Sequence, residues 1–222
     1  MQKNNFIYRP HRFLKPVRSL CLLFTLISPF ASFAQNTLSK EILADQIKTV
    51  AISGNQIFNI TVGTTDENKI SLSSTLDGEY QNKYQIATEE KDNTLTLRLE
   101  FMSFEDIPDD KRNAHKVIAA TLYLKIPKNL NLNIVSDVGS VDVSGNYNSL
   151  SVELLQGHCV VDGLTKSATI NTIDGNISVV TRDAKINASS NNGEVVVDDF
   201  SRSQSQWNLK SINGDITVAK KE

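Results

Sequence analysis

The clearest pattern in the chain is an alternation of apolar and polar residues around regularly spaced glycines, between residues 130 and 222. Gly139, Gly157, Gly175 and Gly193 are 18 residues apart, and Gly214 follows after 21. The second and fourth residues after each glycine are apolar: Val141, Cys159, Ile177, Val195 and Ile216 in one column, and Val143, Val161, Val179, Val197 and Val218 in the other. Alternation with a period of two predicts strands with one buried and one exposed face.

Each repeat predicts two short strands, one on each side of the glycine, where the chain turns. One such repeat cannot bury its inward side chains, whereas repeats stacked about 4.8 Å apart join them into continuous apolar columns. A fixed period in this range is typical of stacked-repeat proteins. The sequence therefore predicts a β-solenoid with about 18 residues per rung in its C-terminal half. A right-handed coil is expected, because crossovers between parallel strands take that hand.

Residues 45–130 carry the same alternation at less regular intervals. Strands are predicted at 49–53, 58–62, 69–76, 84–90, 94–101 and 116–127, with turn residues between them. Leu38, Ile42 and Ile47 are compatible with one brief helix before the first strand. We therefore expect one all-β domain over 45–219, with an N-terminal lead at 35–44, a charged loop at 102–115 and a tail at 220–222.

The first 34 residues have the three parts of a secretory signal. Five basic residues precede an apolar run at 19–30, and small residues lead to Ala34. The apolar run is too short to cross about 30 Å of hydrocarbon. We expect cleavage after Ala34 and export to the periplasm, the cell surface or the medium, without a membrane-spanning segment.

Removal of that segment changes the charge balance. The remaining chain has 18 basic and 25 acidic residues, a net charge of about −7. Nucleic acid is an unsuitable partner for such a chain, because phosphate binding needs clustered Lys and Arg. Only Cys159 remains, so no disulfide can form within the chain.

One resemblance to a known family covers roughly residues 45–219. The segment LYLKIPKNLNLNIVS at 122–136, the GxVxV rungs after it and TLTLRLEF at 94–101 resemble the bacterial "putative adhesin" domain family of unknown function. The resemblance implies a secreted β-helical fold and a surface or periplasmic role. It supplies no catalytic residue that could be transferred to this chain.

Three groups of residues are candidates for chemistry, and we interpret each as structural. His158 and Cys159 are neighbours in a strand and so point to opposite faces; Cys159 takes a position that is otherwise aliphatic. The oxygen-rich positions beside the glycines could suit Ca²⁺, but they are also turn residues; they are Asp174, Asn176, Asn192, Glu194, Asn213 and Asp215. The charged loop could supply acid and base groups; its members are Glu105, Asp106, Asp109, Asp110, Lys111, Arg112 and His115. We predict no catalytic residue, cofactor or metal site.

Three functions of different classes stay open. The first is a binding or adhesin-like role, or a structural role in the envelope, with an envelope glycan or protein as partner. The second is an accessory role in an envelope regulatory system, and the third is a glycan-active enzyme that uses the charged loop. The sequence favours a non-catalytic protein and leaves the oligomeric state open. Trp207, the only tryptophan, lies in an inward column of the last repeat, and we predict that it is buried and closes the end of the stack.

Overall fold

The computed structural model describes residues 36–77, 84–102, 119–202 and 204–222, and the regular elements in these ranges are all strands. The strands are β1 Asn36–Leu43, β2 Thr49–Ser53, β3 Ile57–Thr65, β4 Lys69–Asp77, β5 Tyr84–Lys91, β6 Thr94–Phe101, β7 Ala119–Pro127, β8 Asn131–Val138, β9 Ser140–Asn146, β10 Ser149–Gln156, β11 Cys159–Leu164, β12 Ser167–Asp174, β13 Ile177–Thr181, β14 Ala184–Ser190, β15 Val195–Val197, β16 Ser205–Ser211 and β17 Ile216–Lys220. The all-β prediction is confirmed. The signal segment and residues 103–115 of the charged loop lie outside the described ranges.

The strands form two sheets that enclose one core. Sheet 1 has the order β1-β4-β7-β3-β9-β11-β13-β17-β15, and sheet 2 has the order β14-β16-β12-β10-β8-β2-β6-β5. From β8 onward the chain passes from sheet 2 to sheet 1 at each of the five repeat glycines, and the strands of each sheet are parallel; these glycines are Gly139, Gly157, Gly175, Gly193 and Gly214. Leu150, for example, pairs with Leu132 on one side and with Ala168 on the other. The two parallel-rich sheets form a β-solenoid-like arrangement.

The inward columns that the alternation predicts are the core. In the column of Val141, the side chains of Cys159, Ile177 and Ile216 are buried, and Val195 at its end is half-exposed. The N-terminal half follows the same rule, since Leu122, Leu124 and Ile126 of β7 are all buried. Apolar side chains at alternate positions thus hold both halves together by the same burial of apolar area.

The last repeat of the chain does not form the last layer of the stack. The pair β16 and β17 lies between β12 and β13 on one side and β14 and β15 on the other. Trp207 therefore pairs with Ala168 of β12 and with Ile186 of the edge strand β14, and its side chain is fully buried. The predicted burial is confirmed, but the predicted end-capping role is wrong. The small Ala168 leaves room beside it for the indole, a match that an end position does not offer.

The N-terminal lead is also organised differently from the prediction. Residues 36–43 form strand β1, which pairs along its whole length, antiparallel, with residues 69–76 of β4, so the brief helix is wrong. The free edge of β4 supplies hydrogen-bond partners along the strand, and these outweigh the weak local preference for a helix. Strand β4 in turn pairs antiparallel with β7, which lies parallel to β3. Sheet 1 thus gains three strands, β7, β4 and β1, beyond β3.

Candidate functional site

The structure places Cys159 and His158 on opposite faces of the same strand region, as predicted. Cys159 is fully buried, and burial, followed by the negative charge of Asp142, raises the pKa of its thiol to about 12. A thiol with such a pKa is not a nucleophile near neutral pH. His158 is exposed, and its Nδ1 lies 2.9 Å from the Oγ atom of Ser140 in the neighbouring rung.

The oxygen-rich positions beside the glycines form two columns whose side chains bind neighbouring rungs. The Oδ1 atom of Asn176 accepts a hydrogen bond of 2.9 Å from the Asp215 amide, and Oδ1 of Asp215 accepts one of 2.8 Å from the Glu194 amide. In the column of Asp174, Nδ2 of Asn192 donates to Oδ1 of Asn213 over 2.7 Å. Within the described ranges, no three His, Cys, Asp or Glu side chains lie close enough together to hold a metal ion. The geometry gives these residues a structural explanation.

A wide depression lies elsewhere, on the outer face of sheet 1. Its volume is about 840 Å³, and β1, β3, β4, β7 and β9 contribute to its lining. Tyr123 of β7 is its only aromatic lining residue, with 51% of its surface exposed. Its neighbours across the sheet are Ser73 of β4 and Thr61 of β3. An exposed aromatic ring therefore lies between small hydroxyl side chains, which leave its faces accessible.

Gly63 lies on the floor of this depression, in the interior of β3. A Cβ atom added there would meet its nearest neighbour, the Oγ atom of Ser144, at 3.4 Å, which is close to an ordinary contact. Its φ angle is not in the left-handed region. Of the nine glycines in the described residues, Gly63 alone is required neither by crowding nor by a positive φ angle. A glycine inside a strand costs stability and often marks a bulge, a bend, or a close approach by a ligand or by another backbone.

The charged residues of the depression fall into two groups. Lys69 lies 2.9 Å from a carboxylate oxygen of Glu41 and 3.1 Å from one of Glu67. The hydrogen bond to Glu41, followed by that to Glu67, raises the pKa of Lys69. Lys125 is exposed, and its neighbours on the adjoining strands are Ser71 and Gly63, neither of which can form an ion pair. The depression thus has a neutralised lysine on one side and an available lysine on the other.

Behind the floor, Tyr147 holds β3 and β9 together. Its buried hydroxyl lies 2.9 Å from the carbonyl oxygen of Ser144 and 3.2 Å from that of Val62, the residue before Gly63. Burial raises the pKa of this phenol, so the hydroxyl keeps its proton and donates. The backbone that lines the floor is therefore supported from inside the core.

Sequence reasoning did not find this depression, although two of its signals are visible in the chain. In the segment LYLKIP, Tyr123 alternates with Leu122 and Leu124 and must point outward. In the segment ITVGTT, Gly63 interrupts an otherwise strand-forming run. What the sequence did not provide was the strand order that brings β1 and β4 beside β7.

A second depression, of about 460 Å³, lies along the outer edge of sheet 2. Three half-exposed aliphatic residues on successive rungs, Leu155, Ile173 and Ile212, form its apolar side. Lys210 and Glu153 lie beside them and carry opposite charges. This surface has neither an exposed aromatic ring nor a glycine in its lining, and it is the less specific of the two.

The chain shares its fold with a bacterial adhesion-protein structure. A "putative cell adhesion protein" from Clostridium sporogenes superposes with a TM-score of 0.60 at 15% identity, over 84% of this chain and 100% of the other. A "putative adhesin" from Bacteroides fragilis covers 83% of this chain and 97% of its own, with a TM-score of 0.38 and 14% identity. At this identity the first match shows a common fold, which confirms the sequence resemblance in that respect. No family model and no curated protein matches the chain.

None of the described residues belongs to a helix with the length and apolar character that a membrane span requires.

Proposed function

We propose that this chain is an exported, non-catalytic binding module of the adhesin type, which holds a glycan in the depression around Tyr123. The observation that carries the proposal is the placement of Gly63 beside an exposed aromatic ring, where packing requires no glycine. The shared fold with a structure described as a cell adhesion protein supports the same reading. Export follows from the N-terminal signal pattern, and we propose a right-handed coil with about 18 residues per rung.

The chemistry of the depression suits a sugar ring. The face of a tyrosine ring offers an apolar surface against which the C–H face of a pyranose can pack. The hydroxyl groups of Thr61, Ser73 and Ser144 can donate and accept hydrogen bonds, as sugar hydroxyls require. The open shape fits one segment of a long polymer better than it fits an enclosed small molecule.

The same residues favour binding over catalysis. Hydrolysis of a glycosidic bond generally needs two carboxyl groups on either side of the bond, one of them an acid with a raised pKa. Both glutamates of the depression, Glu41 and Glu67, form an ion pair with the same lysine, Lys69, on one side of the depression. They therefore do not lie on opposite sides of a sugar packed on Tyr123, and we propose an unreactive binding surface.

The experiment measures binding of the protein, expressed from the full sequence, to an array of bacterial and host glycans. Tyr123→Ala removes the ring, and Gly63→Val fills the floor with a residue that strands favour. We expect each change to lower binding at least tenfold while the fold and stability persist. Ser178→Val is the matched control, because Ser178 is exposed on the same sheet outside the depression.

The control should bind as the unchanged protein does. Tyr123→Phe should also retain most of the binding, because it keeps the ring. Array binding that is the same in Tyr123→Ala and Gly63→Val as in the unchanged protein would contradict the proposed site.

A further inference from the structure

We infer that the glycan carries a carboxylate group, which lies above Gly63 and is bound by Lys125 while its sugar ring packs on Tyr123. This inference rests on the proposed function and adds the class of the ligand. It depends on how three neighbouring strands present an ammonium group, bare backbone and a hydroxyl group in one row.

The row consists of Lys125 on β7, Gly63 on β3 and Ser144 on β9, which are direct neighbours across sheet 1. Adjacent strands are about 4.8 Å apart, so the lysine and the serine lie on either side of the glycine. Because Gly63 has no side chain, a ligand can reach between them. A carboxylate group there can accept a hydrogen bond from the ammonium group and another from the Ser144 hydroxyl.

Tyr123 and Lys125 belong to the same strand and point to the same side. Residues two apart in a strand are separated by about 6.6 Å, a distance comparable with the span of one sugar residue. A ring that packs on Tyr123 can therefore place a carboxylate substituent near Lys125. The two side chains together select a ligand in which a sugar ring and a negative charge are separated by this distance.

The charge pattern orients the ligand. Lys69 is held between Glu41 and Glu67, so that side of the depression has an excess of negative charge and repels a carboxylate. On the far side of Gly63, the next residue across the sheet from Ser144 is Asp162, whose carboxylate is neutralised by Lys221 at 2.6 Å, and Asp142 lies two residues before Ser144 on β9. Lys125 is the lining lysine with no ion-pair partner among the described residues. Lys40, the third lysine of the lining, lies on the inward side of β1 and contacts Thr88.

The expected size of the effect follows from the exposure of Lys125. Exposed ion pairs contribute little because water and salt screen them, which corresponds to at most about fivefold in affinity. Packing on Tyr123 therefore supplies most of the binding, and Lys125 supplies the preference for an acidic sugar. The preference should also shrink as the salt concentration rises.

The experiment compares polygalacturonate with the same polymer after reduction of its carboxyl groups, at equal chain length. Binding of the protein expressed from the full sequence is measured by biolayer interferometry in low and in physiological salt. We expect about fivefold stronger binding of the acidic polymer in low salt. Lys125→Gln should abolish that preference and leave binding of the reduced polymer unchanged. Tyr123→Ala should lower binding of both polymers, and Lys185→Gln, which alters an exposed lysine on β14, should change neither.

Three results would overturn the inference. If the two polymers bind equally and binding still depends on Tyr123, the protein does not recognise the carboxylate group, and the proposed glycan site stands. Failure of both polymers to bind would exclude this class of acidic glycan, and the array experiment would decide the proposed function separately. The third result concerns dextran sulfate. If it binds the Tyr123→Ala variant as tightly as polygalacturonate binds the unchanged protein, the binding of polygalacturonate is a general attraction of anions.

Discussion

The regular block from β8 to β17 and the N-terminal part of sheet 1 use the same alternation, yet their glycines have different explanations. In the block, the glycines stack on one another, and a Cβ atom at Gly175 would overlap the carbonyl oxygen of Gly157. In the N-terminal part, Gly63 would accept a Cβ atom at an ordinary distance. Close packing therefore accounts for the glycines of the block and does not account for Gly63, where we propose the binding site. The comparison shows that a function is best sought where a residue is not needed by the fold.

The largest effect should come from the core of the block, at Trp207. We expect Trp207→Ala to lower the free energy of unfolding by about 3–5 kcal/mol, because it leaves a cavity between Ala168 and Ile186. Denaturant unfolding measures the change, and Trp207→Phe should cost less. The tryptophan emission of the native protein should be blue-shifted and resistant to iodide. An emission typical of exposed indole would contradict the intercalated position of this strand.

Gly175→Ala tests the crowding in the block directly. The added methyl group meets backbone atoms, which cannot rotate away, so we expect a loss of about 3 kcal/mol in the free energy of unfolding. Thermal and denaturant unfolding measure it. A change below about 0.5 kcal/mol would remove the distinction between this glycine and Gly63.

The pH dependence of stability tests whether Cys159 is shielded from water in the core. Burial raises the pKa of its thiol from 9.0 to about 12 in the folded protein, so above pH 9 the unfolded chain releases a proton that the folded chain keeps. The contribution of this group to stability is therefore complete below pH 9 and declines as the pH rises toward 12, by up to about 1.4 kcal/mol per pH unit. Cys159→Val lacks this term, so its stability relative to the unchanged protein should improve above pH 9. Dithionitrobenzoate should label the native thiol at pH 8 only after unfolding, and immediate labelling would contradict a buried thiol.

The smallest effect, with the opposite sign, belongs to Gly63. Gly63→Ala should raise the free energy of unfolding by about 0.5–1 kcal/mol, because alanine loses less backbone entropy than glycine in a strand. The same denaturant titration used for Gly175→Ala measures it, which makes the two variants a matched pair. Destabilisation by Gly63→Ala would mean that the fold does require this glycine, and the main argument for the binding site would fail.

The strands and their buried faces could be predicted from the sequence, because alternation depends only on neighbouring residues. Leu122 and Leu124 pointed inward and Tyr123 outward, as their order in the chain requires. The order of the last rungs could not be predicted in the same way. Every rung has similar apolar residues at its inward positions, so the alternation does not determine which rung lies next to which. The one local hint was the pairing of sizes, since Ala168 is the small member of the column that receives Trp207.

The depression around Tyr123 depended on the same missing information. Its floor and walls come from strands that are distant in sequence, with β7 placed between β3 and β4. The antiparallel pairing of β1 with β4 fixes residues 36–43 at its rim, in a region where local signals were weak. The sequence thus predicted which side chains point outward, but it did not predict which of them lie close together.

The intercalated rung also sets the order in which the molecule can be completed. In the finished stack, β14 pairs with β16 and β15 pairs with β17. As the chain emerges from the ribosome, residues 184–197 are synthesised before either of those partners exists. The edge layer of β14 and β15 can therefore pair only after β16 and β17 exist, so the order of the layers in space differs from the order in which they are synthesised.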